Sequence, residues 1–225
     1  FTDRQLKEQT MVHFDQDALK KQAEGFSCMQ KDNQKEPKDA YISEYQADGY
    51  HIIPEEQGSK IKKKKLLAVL SEALNNLQEE ISLEESGCYA KPKKTAGDEG
   101  LLALADTLNK YTGVTLTYQI GEKTEVLNGS TTHKWMQTDG AQVSIDEAAV
   151  EEYVSGLASA YNTVFRGHSL KTSYGKTVTI TDGDYGWKVD KEGEKAQLLA
   201  DLTAGQDVAR ELTYAQRAGS HGTND

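Results

Sequence analysis

The chain has 225 residues, 36 % of them hydrophobic, and a formal net charge of −10. That length suits one large domain or two of about 110 residues, and the modest apolar content fits two small cores better than one large one. The negative charge argues against nucleic acid as the main partner, and no apolar run is long enough to span a bilayer.

The charge is uneven. Residues 1–95 carry 15 basic and 17 acidic groups, whereas residues 96–225 carry 11 and 19. Only Pro37, Pro54 and Pro92 occur, which excludes a proline-rich stalk. The sequence starts at Phe1 with neither an initiator methionine nor a signal pattern, so it reads as part of a longer chain.

In chain order, Phe14-Asp15-Gln16-Asp17-Ala18-Leu19 opens a helix that Asp15 is placed to cap. A strand over Ala40–Tyr45, the turn dipeptide Asp48-Gly49 and a second strand from Tyr50 read as a hairpin. Lys60-Ile61-Lys62-Lys63-Lys64-Lys65 reads as a solvated helix start, although such a run also suits an anionic polymer. Leu66 to Leu70 supply the core face of that helix, and Tyr89-Ala90 closes the first half.

After the polar break Ala96–Gly100 comes a helix from Leu101 to about Tyr111, then a hairpin of Val114–Ile120 and Thr124–Leu127. Asn128-Gly129-Ser130 starts a short helix reaching Trp135-Met136. Asp146 caps the next long helix. Thr177–Ile180, a turn at Asp182-Gly183 and a strand through Tyr185 and Trp187 read as another hairpin. A helix with Leu198, Leu199 and Leu202 follows, and Tyr214-Ala215 ends the pattern.

The order helix, hairpin, helix, strand thus occurs twice. Phe14 matches Ile145 at an offset of 131, Tyr50 and Gly58 match Tyr185 and Gly193 at 135, and Leu66 matches Leu198 at 132. The expected fold is α+β: two tandem copies of a small module, each an antiparallel sheet with helices packed on one face. The first copy spans 1–95 with a truncated front end, the second 96–215, and 216–225 is a linker.

The residues offer no complete catalytic site. The five histidines show no ligand spacing, and CxxC is absent, so no metal or other cofactor is implied. Asp182-Gly183-Asp184 resembles half a calcium loop but reads better as a turn. Cys28 and Cys88 are open to either reading, a disulfide or two buried thiols. Aromatic side chains stack well on sugar rings. Strand alternation puts Tyr185 and Trp187 on one face. With Tyr50, and with Tyr161, Asn162 and Arg166 behind the long helix, they form the candidate ligand-binding set, the competing reading being that they build the core.

Several segments together resemble the peptidoglycan-binding domain found in Gram-positive L,D-transpeptidases. They are Pro37-Lys38-Asp39-Ala40-Tyr41-Ile42, Tyr50 through Gly58, and Gly87-Cys88-Tyr89-Ala90-Lys91-Pro92, with Ala160-Tyr161-Asn162-Thr163 and Tyr185-Gly186-Trp187-Lys188-Val189-Asp190 resembling a second copy. The resemblance implies a non-catalytic, extracellular, wall-facing region that spaces a catalytic domain from the membrane and meets peptidoglycan or another wall polymer. Membrane attachment would come only through an N-terminal anchor outside this sequence. The resemblance leaves oligomeric state open. The family's nucleophile motif is Ser-His-Gly-Cys; here Ser220-His221-Gly222 is followed by Thr223. The same module occurs in VanW-like surface proteins, where a structural or protein-interaction role is the alternative.

Overall fold

The computed structural model describes residues 13–181 and 184–217. The expected turn at Asp182-Gly183, most of the linker and Ser220-His221-Gly222 lie outside the described residues. The fold is α+β. Its helices are α1 (Gln16–Glu24), α2 (Lys63–Asn75), α3 (Glu99–Thr112), α4 (Gly129–Thr132), α5 (Glu147–Tyr161) and α6 (Lys191–Ala204). Its strands are β1 (Tyr41–Ile42), β2 (Ile52–Ile53), β3 (Leu116–Ile120), β4 (Lys123–Leu127), β5 (Met136–Asp139), β6 (Gln142–Ile145), β7 (His168–Lys171), β8 (Thr177–Ile180), β9 (Lys188–Val189), β10 (Val208–Arg210) and β11 (Tyr214–Gln216).

The chain divides into two compact units. One takes residues 1–41 and 52–98; the other takes residues 42–51 and 99–225. Chain order and unit membership therefore differ over the first hairpin, Ile42–His51.

In the first unit, Asp15 caps α1 by accepting from the backbone N–H of Asp17 at 2.9 Å and of Ala18 at 3.3 Å. The core is small: Ile61, Leu66 and Cys88 are buried, with Cys28, Met29, Leu70 and Leu83 packed on them. Lys62 to Lys65 are exposed, and Lys62 stands at the N-cap of α2 without a side-chain capping bond. Two lysines converge on Glu56, Lys35 at 2.7 Å and Lys38 at 2.8 Å, and their hydrogen bonds lower its carboxyl to about 2.

In the second unit, β4 pairs antiparallel with β3, and β10 joins the far edge of β3 in parallel. Leu116, Tyr118 and Ile120 of β3 face inward against Val150, Val154 and Leu157 of α5 and Leu198 and Leu202 of α6. Each fully buried leucine contributes about 2 kcal/mol. The pattern of β3, buried at every second position, is that of a strand covered on one face.

Beneath this sheet lies a buried ionic cluster. Glu194 on α6 is fully buried. It receives two parallel bonds from Arg210 on β10, at 2.7 and 2.9 Å, one from the Tyr118 hydroxyl at 2.8 Å and one from the Thr213 N–H at 2.7 Å. Arg210 Nε also donates to Asp201 at 2.7 Å.

Two sequence expectations are corrected. First, β8 pairs back with β7, not with the segment around Trp187, and Tyr185 and Trp187 are not on a strand. The cause is local: Gly186 adopts φ +135°, and the segment is clamped instead to Thr163. Second, the repeat register shifts by one helical turn. Lys62 N–H donates to Cys88 O at 2.8 Å as Asp190 N–H donates to Thr213 O at 2.9 Å, while Ile61 bridges Tyr89 as Val189 pairs with Tyr214. Four residues beyond those equivalent helix caps stand Leu66 and Glu194, so Leu70, not Leu66, is the counterpart of Leu198. Gly58, which precedes α2, is not the counterpart of Gly193 inside α6.

Candidate functional site

The second unit gathers most of the expected ligand-binding residues at the C-terminal end of α5. Asp146 caps this helix by accepting from Ala148 N–H at 3.0 Å and Ala149 N–H at 3.3 Å. The helix stops at Tyr161, and Asn162 is already extended, with φ −63° and ψ 132°. The Asn162 carboxamide then accepts from Val189 N–H at 2.8 Å, which ties β9 to the helix end. Thr163 adds two bonds to Trp187: its hydroxyl accepts from Trp187 N–H at 2.7 Å, and its N–H donates to Trp187 O at 2.9 Å. A Cβ on Gly186 would lie 2.6 Å from the Thr163 hydroxyl, so this close approach needs glycine.

Trp187 is half-buried and packs against the core. Its ring lies 5.7 Å from that of Tyr214 and covers the β3–β4 turn at Gly121. The Tyr161 hydroxyl donates to Glu125 on β4 at 2.7 Å; that bond, helped by burial, raises its pKa. Tyr153, about two turns of helix deeper, is pushed up to about 12 by burial and by the nearby Glu125 carboxylate. Tyr161 and Asn162 therefore spend side-chain polar atoms, and Trp187 its backbone N–H and C=O, on holding the helix end to the strands.

The outward part of this region is different. Arg166 is exposed, with one N–H donated to Ser159 O at 3.1 Å. Tyr185 is 50 % exposed. Phe165 stands next to Arg166, 68 % exposed and with φ +60°, a conformation that a bulky side chain rarely adopts. Sequence reasoning missed Phe165 because it fits neither a helical nor a strand pattern.

Tyr50 lies apart from this group, on the Ile42–His51 hairpin. Asn109 of α3 holds it by the backbone, accepting from Tyr50 N–H at 2.7 Å and donating to Tyr50 O at 2.9 Å. Its ring meets Tyr45 edge-on at 5.4 Å, and Tyr45 stacks on His133 at 4.4 Å and 7°.

Cys28 and Cys88 are free thiols in one apolar cluster of the first unit. Burial pushes the Cys88 thiol up, the opposite of what an attacking thiolate requires. Of the histidines, His51 pairs with Asp48 at 3.0 Å and His133 with Gly129 O at 2.8 Å. Among the described residues no three His, Cys, Asp or Glu side chains converge as a metal site would need.

Residues 3–82 and 105–210 match the family described as "Putative peptidoglycan binding domain". The chain belongs to this peptidoglycan-binding domain family. The match in two stretches accords with the tandem α+β modules. Two solved structures are similar: a cysteine-to-serine variant of Enterococcus faecium L,D-transpeptidase and the Ldtfm–avibactam carbamoyl enzyme. Each is 27 % identical, covers 55 % of this chain and has a TM-score of 0.42. The alignments cover 49 % and 47 % of those chains, so this sequence spans about half their length. No curated protein matches by sequence.

Proposed function

We propose that this chain is the non-catalytic, wall-facing region of an L,D-transpeptidase. It lies outside the cell, between a membrane anchor and the catalytic domain, and spaces that domain while touching peptidoglycan. The family match over both stretches carries this reading, because the family is one of binding domains. The net charge of −10 agrees with a partner other than nucleic acid. The polymer-contacting face is the outward part of the α5 end, Phe165, Arg166 and Tyr185, set on the frame of Tyr161, Asn162 and Trp187. Residues 1–95 and 96–215 are the two modules, and 216–225 leads to the catalytic domain.

The test is co-sedimentation with purified sacculi. Wild type pellets with them, and Phe165→Ala or Tyr185→Ala weakens binding about fivefold, since an exposed aromatic contact is worth about 1 kcal/mol. Trp187→Ala is the poorer probe, because the half-buried ring also supports the fold. A wild-type chain left in the supernatant would refute wall binding and favour a structural or protein-interaction module. Turnover of a stem peptide by this chain would overturn the non-catalytic reading.

A further inference from the structure

The second unit contains a cleft of about 450 Å³ away from the α5 end. Ligand pockets run from about 300 to 1,000 Å³. Three segments form it: Tyr45 to Gly49 of the hairpin, Asn109 to Thr115 at the end of α3, and Asn128 to Ser130 before and within α4. Glycine permits the approach. Gly49, at φ +110°, abuts the Asn109 carboxamide, and a Cβ there would lie 2.6 Å from Oδ1. A Cβ on Gly129 would collide with the Tyr45 hydroxyl and lie 2.5 Å from Thr112 O.

The walls are held from behind. Asn109 fixes Tyr50 by two backbone bonds, and the His133 stack fixes one face of the Tyr45 ring. The Asn128 side-chain oxygen Oδ1 accepts from Ser130 N–H at 3.0 Å and from the Ser130 hydroxyl at 2.6 Å, which leaves its NH2 group as a donor. The lining thus offers hydroxyls, the Asn128 NH2 group and an aromatic edge, with the Asn109 carboxamide engaged by Tyr50. Asp48 is its one formal charge; no lysine or arginine lines it.

A cell wall presents three chemistries: carboxylate-bearing peptide stems, phosphate-rich polymers, and uncharged N-acetylated sugars. The first two need cations that this cleft lacks, and Asp48 repels them. We infer that this cleft is a sugar site that takes an uncharged N-acetylated hexosamine unit of the glycan strand. This inference rests on the wall-binding reading and adds to it a ligand class and a second site.

The probe is chitotetraose, added to the full chain and followed by amide and carboxamide NMR shifts and by calorimetry. The expected result is saturable binding with shifts at Asn109, Asn128 and Ser130. Tyr45→Phe, which removes one hydroxyl, and Ala47→Trp, which fills the cleft from an exposed position, each weaken binding at least tenfold in chains whose spectra remain dispersed. Chitotetraose that fails to bind, or binds equally well to both variants, overturns the inference. So does binding of a stem pentapeptide or a polyphosphate in the cleft. Sacculus sedimentation runs in parallel. A chain that pellets with sacculi but ignores chitotetraose loses this inference and keeps the wall reading. A chain that does neither loses both.

Discussion

Replacing Arg210 with methionine strands two carboxylates, Glu194 and its neighbour Asp201. The buried Glu194 carboxylate would keep the Tyr118 hydroxyl and the Thr213 N–H but lose both charge-assisted bonds and its only counter-ion in the cluster. Removing one partner of such a pair costs about 3–5 kcal/mol, because the remaining charge stays buried without compensation. For a unit of this size that lowers the midpoint by about 10 °C or more. Both tryptophans, Trp135 and Trp187, belong to the second unit, so thermal melts read by tryptophan fluorescence report on it alone.

The pH dependence provides a sharper test. In the wild type, burial pushes the Glu194 carboxyl up, but the Arg210, Thr213 and Tyr118 bonds together outweigh it and hold the group below 4.5. Its stabilisation is complete above that ordinary value and is lost as the pH falls through the lower folded value. Without Arg210, burial wins and the folded carboxyl rises above 4.5. The deficit in Arg210→Met is then largest at pH 7 and shrinks towards pH 5. Glu194→Gln combined with Arg210→Met removes the stranded Glu194 charge, leaves Asp201 with its Gln197 bond, and recovers about 1 kcal/mol or more of the single variant's loss. A single variant that costs less than about 1 kcal/mol, a deficit that grows on acidification, or a double variant worse than the single would each refute the account of a buried ion pair.

Two further outcomes are expected. Thr132 is fully buried, and its hydroxyl is the buried side-chain atom that lacks a hydrogen-bond partner among the described residues. Thr132→Val should therefore raise the fluorescence midpoint by about 3 °C, worth about 1 kcal/mol, and a lower midpoint would show that the hydroxyl is bonded after all. In the native chain Cys28, which is partly exposed, should react with a thiol reagent well before the buried Cys88, whose labelling should wait on unfolding. Equal rates for the two would contradict that burial.

Local signals were legible in the sequence. Asp15 and Asp146 cap helices as their side-chain chemistry predicts, and the alternation of Leu116, Tyr118 and Ile120 marks a strand buried on one face. The repeat was legible too, but its register was not. Apolar residues recur at i and i+4 along a helix, so Leu66 matches Leu198 as well by pattern as Leu70 does; only the backbone bonds at Lys62 and Asp190 separate the two alignments. Glu194 sits in a polar run with nothing local to mark it as buried, because its partners Tyr118 and Arg210 come from strands at distances no local pattern reports. The cleft was invisible for the same reason. Tyr45, Asn109 and Asn128 carry no motif, and tertiary packing alone assembles them.

The allocation of Ile42–His51 bears on how this protein can be divided. A junction at the polar break, residues 96–100, looks like the natural place to cut, yet a piece starting at Glu99 would leave behind Tyr45 and Tyr50. It would keep Asn109 without the backbone that Asn109 grips and keep a cleft open on one side. Shuffling of single modules between proteins would meet the same obstacle. The shortest fragment of the second unit worth expressing therefore includes Ile42–His51.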